Sequence, residues 1–353
     1  MQDTKIIFAK RLKSAREMKG LSMAELSDAM GNIVSPQAIY KYESGKMLPN
    51  ANILKVLGDA LKLPIDHFFK EYKVSLCNIE FRKKASLLVK DRKTIETTSL
   101  DRVEKYFEIL DICGEDLIGF RKEAKLITSK EDVIETVQNI RKRHGLGSDP
   151  IQNVLQFLEG LGIIVIVITN ENNKFDGLSG LANNTPVIVL NSTLPAERMR
   201  FTALHELGHL ILNFDESINS KGCEKLCNTF ASEMLIPSKR LEEYINARLG
   251  RKLALPELAI IQKAYGVSID ALIYKATEIG LVNERTLQTY HILKNQNPKF
   301  RDYAETPRAG KEESDKFENM VMRAYDCDLI TIEQAALFLG TTAAEIEFKS
   351  LII

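Results

Sequence analysis

The sequence predicts a mostly helical α+β protein: an N-terminal bundle of five helices, a central region with a small β-sheet, and a helical C-terminal region. Apolar residues recur at helical spacing, with capping serines and terminating glycines, along most of the 353 residues. Only two runs read as strands, "IIVIVI" at 163–168 and "PVIVLN" at 186–191, both apolar and rich in β-branched residues. Charge is also unevenly placed. Residues 1–93 carry 18 Lys and Arg against 10 Asp and Glu, and the rest carries 30 against 38, although the whole chain is neutral. A basic front joined to an acidic body suggests a nucleic-acid-facing module attached to something else.

An apolar fraction of 44% and a charged fraction of 27% are those of a soluble globular chain. The start, "MQDTKIIFAK", lacks the layout of a secretory signal, and no apolar run is long enough to span a bilayer, so a cytoplasmic protein without a membrane partner is expected. Five scattered cysteines do not suggest a disulfide framework. Four units are expected: a bundle at 1–75, a helical linker at 76–128, a site-bearing domain at 129–245 and a helical region at 246–353.

In the front unit, residues 6–17 have helical spacing. Ser22 and Glu25 then stand in a capping-box relation, so that each can satisfy a free backbone N–H of the next helix. Gly31 and Asn32 stop that helix, Ser35 caps another with Pro36 at its first position, and Gly45 ends it. Amphipathic segments at 50–62 and 65–73 complete five helices about a tight helix-turn-helix. This unit resembles the Xre-type helix-turn-helix domains of phage and plasmid repressors over residues 5–70, most specifically in "YKYESGKMLPN". The resemblance implies that the helix from Ser35 is the recognition helix for an operator DNA, with Gln37, Ala38, Tyr40 and Lys41 near bases or phosphates. A single such module would bind weakly alone, so a homodimer is expected.

Farther on, Arg82, Lys83 and Lys84 form a basic cluster that suits a solvated face or added phosphate contact. Helices are expected over 99–115, 117–126, from a cap at Ser129 to His144, and over 150–161. The segment "TNENNKFDGLSG" between the two strand runs reads as turn-rich loop, with Gly177 and Gly180 marking a tight loop or a close backbone approach.

The run after the second strand contains His205-Glu206-Leu207-Gly208-His209. Four residues are just over one helical turn, so both imidazoles project from one face and can meet a single ion. The apolar flanks put the helix in a core, where unpartnered imidazoles would cost roughly 1–3 kcal/mol each. A zinc ion removes that cost. Glu206 is poorly placed as a ligand but can reach a water, and Gly208, which costs about 1 kcal/mol in a helix interior, points to a close neighbour. A catalytic zinc needs a third protein ligand and an open position. The helix 221–237 offers Glu224 and Glu233 on opposite faces, so only one can point at the ion. Glu224 has Asn228 one turn on, able to orient a ligating histidine, whereas Glu233 reads as a structural or rim carboxylate. Asp215 and Glu216 follow the first helix too closely for an easy return, and Cys223 and Cys227 read as small buried residues.

With these residues in order, "GLGSDPIQNVLQFLEGLGIIVI", "FDGLSG", "VIVLNSTLPAERMRFTALHELGHLIL" and "EKLCNTFASEMLIP", the region 130–240 resembles the ImmA/IrrE metallopeptidase family. The resemblance implies a zincin-like fold, Zn2+ held by His205, His209 and Glu224, Glu206 as general base, and a repressor-like protein as substrate. A substrate strand is expected to pair with an edge strand at 187–190. A non-proteolytic alternative is a repressor or antitoxin-like DNA-binding protein, with a toxin as partner, whose peptidase fold senses or docks. The C-terminal stretch "LITIEQAALFLGTTAAEIE" reads as a packed helix pair with Ala336, Leu337, Leu339 and Ile346 on its apolar face.

Overall fold

In the computed structural model, all residues are described except 1, 73, 75, 78–87, 118, 172–174, 247–253 and 352–353. The basic cluster Arg82–Lys84 therefore lies outside the described residues. The front unit holds α1 (Gln2–Met18), α2 (Met23–Ala29), α3 (Pro36–Glu43) and α4 (Ala51–Leu61), followed by a 3₁₀ turn at Ile65–Phe69 where a fifth α-helix was expected. The caps are those the sequence predicts: Ser22 and Glu25 form a capping box, and the Ser35 side chain accepts from the Ala38 amide. Phe8, Leu12, Leu26, Ile39, Leu57 and Phe68 form the core of the bundle.

The bundle leads into β1 (Leu76–Cys77) and a 25-residue helix, α5 (Val89–Cys113). Among the described residues no helix follows at 117–126. Gly114 ends α5 in a left-handed conformation, and before β2 (Leu126–Ile127) the Glu123 amide donates to the Ile211 carbonyl. The apolar residues there, whose spacing also fits a helix, are drawn into pairing with the end of the site-bearing helix.

Next come α6 (Lys130–Arg143), α7 (Val154–Gly160), β3 (Ile164–Ile168), β4 (Gly177–Ala182) and β5 (Thr185–Asn191). Then follow α8 (Ala196–Ile211), β6 (Asn213–Phe214), α9 (Ser220–Leu235) and α10 (Ser238–Asn246). The main sheet has the order β1-β4-β5-β3, with β3 parallel to β5 and β4 antiparallel to it, while β2 pairs with β6 in parallel. β4 occupies part of the segment that reads as loop, because its glycines and serine give no alternating apolar signal. The Asn183-Asn184 turn, with both residues at positive φ, folds it back on β5. The expectation of an edge strand at 187–190 is overturned, since β5 lies between β3 and β4.

Alternation splits the sheet between two cores. Val165, Ile188 and Leu190 face α6, α7, α8 and α9, whereas Ile164, Ile166, Val187 and Val189 face α5 and the end of the chain. The first core extends through α11 (Leu255–Tyr265), α12 (Ile269–Glu278), α13 (Glu284–Gln296) and α14 (Pro298–Glu305). The second is closed by α15 (Lys316–Asp326), α16 (Ile332–Leu339) and α17 (Ala343–Ser350). In α16 and α17 the buried positions are Ala335, Phe338 and Ile346. Leu337, expected inside, is 43% exposed, because helical phase places Ala335 and Phe338 inward.

One buried ion pair anchors α8. Arg200 pairs with Glu312 and donates to the Ile151 carbonyl at 2.6 Å, while Glu312 accepts the Val154 amide at 2.6 Å. Arg200→Ala is expected to destabilise the fold by about 3–5 kcal/mol, because it strands a buried carboxylate. Denaturant unfolding of the full chain measures this, and a loss below about 1 kcal/mol would show the pair to be dispensable.

Candidate metal centre

Apolar residues seat α8 in the first core: Ala203, Leu204, Leu207 and Ile211 are all buried. Its remaining face carries His205 and His209, four residues apart, with ring centroids 4.8 Å apart and planes at 73°. α9 begins at Asn219, whose side chain accepts from the Gly222 amide at 2.9 Å, and crosses α8 at Gly208. A Cβ added to Gly208 would stand 3.3 Å from both Cys227 Sγ and the Phe230 ring, so the expected close neighbour is α9 itself. Cys227 fills this crossing as a small buried residue, and Cys223 is buried one turn earlier. One turn before Cys227, Glu224 is thereby brought to the histidines.

The convergence is tight. His205 Nε2 and His209 Nε2 are 3.1 Å apart, and the two lie 3.4 and 3.5 Å from the Glu224 carboxylate oxygens. Donor atoms about 2.0–2.1 Å from a tetrahedral zinc stand roughly 3.3 Å from one another, so this triangle has the dimensions of three ligands around one ion. Two imidazole nitrogens and a carboxylate are also the donor set that zinc accepts. Among the described residues these three form the one such cluster, with ligand atoms within 4.8 Å of one another.

The competing acids lie elsewhere. Glu233 is buried, pairs with Lys275 at 2.8 Å and accepts the Ser238 amide at 3.0 Å, which makes it structural. Burial pushes the Lys275 ammonium down from its ordinary range, and Glu233 beside it acts in the opposite sense. Asp215 accepts from Ser217 in a local turn. Asn228 is exposed on the wall of a neighbouring groove rather than packed on an imidazole.

Glu206 has a partner that sequence reading misses. Ser179 Oγ, buried on β4, donates to Glu206 Oε2 at 2.7 Å. Gly177 allows the approach, because a Cβ there would stand 2.8 Å from Thr202 Cγ2 on α8. The signal available was a serine beside glycines in "FDGLSG", which only the strand assignment turns toward α8.

At the other end of the chain, Gln37, Tyr40 and Lys41 are exposed on α3, while Ala38 is half-buried against the bundle core. Tyr42 is buried, and Glu43 receives the Arg16 guanidinium at 2.6 and 2.8 Å, tying α3 to α1. The most specific part of the signature is thus largely structural, and it fixes which face α3 presents.

Comparison with known proteins agrees with both halves. Residues 12–68 match the helix-turn-helix family, and residues 159–277 match the IrrE N-terminal-like domain family. A segment of 104 residues is 35% identical to the radiation response metalloprotease IrrE of Deinococcus radiodurans. That match covers 26% of this chain and 31% of the length of the relative.

Metal analysis of two variants separates the carboxylates. Glu224→Ala is expected to lose bound zinc, and Glu233→Ala to retain about one ion per chain while losing thermal stability. Retention by the first and loss by the second would move the third ligand to Glu233.

Proposed function

From a chain that joins a helix-turn-helix domain to an IrrE N-terminal-like domain, we propose a DNA-binding transcriptional regulator whose second domain is a zinc-dependent endopeptidase. Its substrate in this proposal is a repressor-type protein or the chain itself. One observation carries it: His205, His209 and Glu224 converge within ligand distance beside a Glu206 held by Ser179. Zinc held by the first three residues would supply Lewis-acid chemistry to peptide hydrolysis. Glu206 takes the proton of the attacking water and returns it to the leaving amine, so the C–N bond breaks as a C–O bond forms. The hydrogen bond from Ser179 fixes the orientation of the Glu206 carboxylate. A substrate strand would add to β4, which lies against α8; among the described residues its outer side pairs with β1 only at Leu181 and Ala182.

The front domain supports operator binding through α3, with Gln37 and Tyr40 toward bases and Lys41 toward phosphate, in a homodimer. A second reading is favoured by the fusion itself: a regulator, antitoxin-like and paired with a toxin, in which the peptidase fold serves sensing or docking with little turnover.

Glu206→Gln is expected to keep zinc and fold but to lower proteolysis by roughly 10²–10⁴-fold. The measurement is mass spectrometry of fragments from candidate repressors encoded nearby. A cellular response identical in wild type and Glu206→Gln, with no fragment in either, would select the second reading.

DNA binding by the full chain is expected to weaken steeply with salt, and Gln37→Ala with Lys41→Ala to remove sequence preference. Binding that shows no salt slope and no preference among upstream DNAs of its own operon would overturn the operator role.

A further inference from the structure

A groove of roughly 890 Å³ opens beside the metal centre, between the start of α6, α8, α9 and α12. Two of its lining residues neighbour the site. Phe201 lines it and also lies against His205, with ring centroids 6.4 Å apart, and Asn228 lines it one turn beyond Glu224. The volume is that of a small-molecule pocket and much larger than one side chain needs, so it suits several residues of a peptide. Phe201, Ile218, Leu226 and Tyr274 give it apolar walls, and Tyr274 stands 65% exposed over it.

Three lysines reach the groove, and two are already compensated. Lys130 pairs with Glu278 at 2.8 Å and Lys275 with Glu233 at 2.8 Å. Lys225, exposed on α9, has no carboxylate partner among the described residues. An aromatic, apolar trough with one uncompensated cation favours a bulky apolar side chain accompanied by a carboxylate.

We propose that this groove selects the substrate: it takes the residues flanking the scissile bond, and it prefers a bulky apolar residue followed by an acidic one. This rests on the proteolytic reading above and adds the class of sequence recognised. The apolar walls supply area, and Lys225 supplies a charge preference that an apolar pocket alone lacks.

The test uses the zinc-loaded full chain and three hydroxamates, with affinities measured by calorimetry. Acetohydroxamate carries no side chain, a second compound carries Phe-Asp and a third Phe-Lys. The Phe-Asp compound is expected to bind roughly tenfold or more tighter than either of the others. Lys225→Glu should reverse the Asp-over-Lys preference. Tyr274→Ala should weaken both Phe compounds severalfold, and neither variant should alter acetohydroxamate affinity or zinc content. Equal binding of Phe-Asp and Phe-Lys by wild type, or indifference of both preferences to both variants, overturns the groove. Failure of acetohydroxamate to bind the zinc-loaded chain counts instead against the metal centre. In that event acetyl-Phe-Asp-amide and acetyl-Phe-Lys-amide replace the hydroxamates, and equal affinity of wild type for the two overturns the groove by itself.

Discussion

The close crossing of α8 and α9 at Gly208 is the constraint on which the convergence of His205, His209 and Glu224 depends. The two histidines are fixed by helical pitch alone, since any helix presents residues four apart on one face. The third donor belongs to a separate helix, and its distance is set by how near the two axes come. With a side chain at 208, the contacts at 3.3 Å to Cys227 and Phe230 would have to give, and Glu224 would move with them. A residue that costs helix stability is thereby used to bring a carboxylate within 3.4 and 3.5 Å of two imidazoles. Cys227 matters for the same reason, as a small side chain that fills the crossing without widening it.

The same logic applies on the opposite side of α8. Gly177 lets β4 lie against Thr202, and the register of β4 then turns Ser179 toward Glu206. Two glycines on two different elements thus hold α8 between the strand that orients its Glu206 carboxylate and the helix that brings Glu224 to its histidines. Arg200, on a third side, binds α8 to Glu312 and the Ile151 carbonyl, so the helix is held in rotation as well as in position.

Much of this was legible in the sequence, in proportion to how local the determining physics is. The capping box at Ser22, the cap at Ser129, the apolar strands at 163–168 and 186–191, and the i, i+4 histidines each depend on a few neighbouring residues. Nine residues of helix put Glu224 and Glu233 on opposite faces, which says that one of them can meet the histidines but not which. Asn228 and the family resemblance are what favour Glu224 in the sequence, and Asn228 is exposed on the groove wall. What escaped notice depends on distant partners. β4 is a strand because β5 and α8 accept it, not because its own residues favour one. The segment 117–126 has helical spacing, yet its backbone pairs with the end of α8 through Ile211. β5 reads as a hydrophobic strand in either an edge or an interior position, and only the return of β4 past the Asn183-Asn184 turn decides that it is interior.

The stretch between the two modules also proves to be structural. α5 receives Arg11 of α1 on Glu104, at 2.6 Å, and the Thr94 hydroxyl donates to the Glu17 carbonyl at 2.8 Å. Its buried residues Val103, Tyr106 and Ile109 lie in the core on the far face of the sheet. A single helix thus contacts the helix-turn-helix bundle with one face and the β4-β5-β3 layer with another. The chain leaving the bundle, moreover, supplies β1 directly to β4, the strand that carries Ser179. The bundle is therefore not hung on an inert tether. Glu104 and Thr94, which hold it, lie on the same helix whose buried face backs the strand orienting Glu206, so one helix serves the packing of both modules.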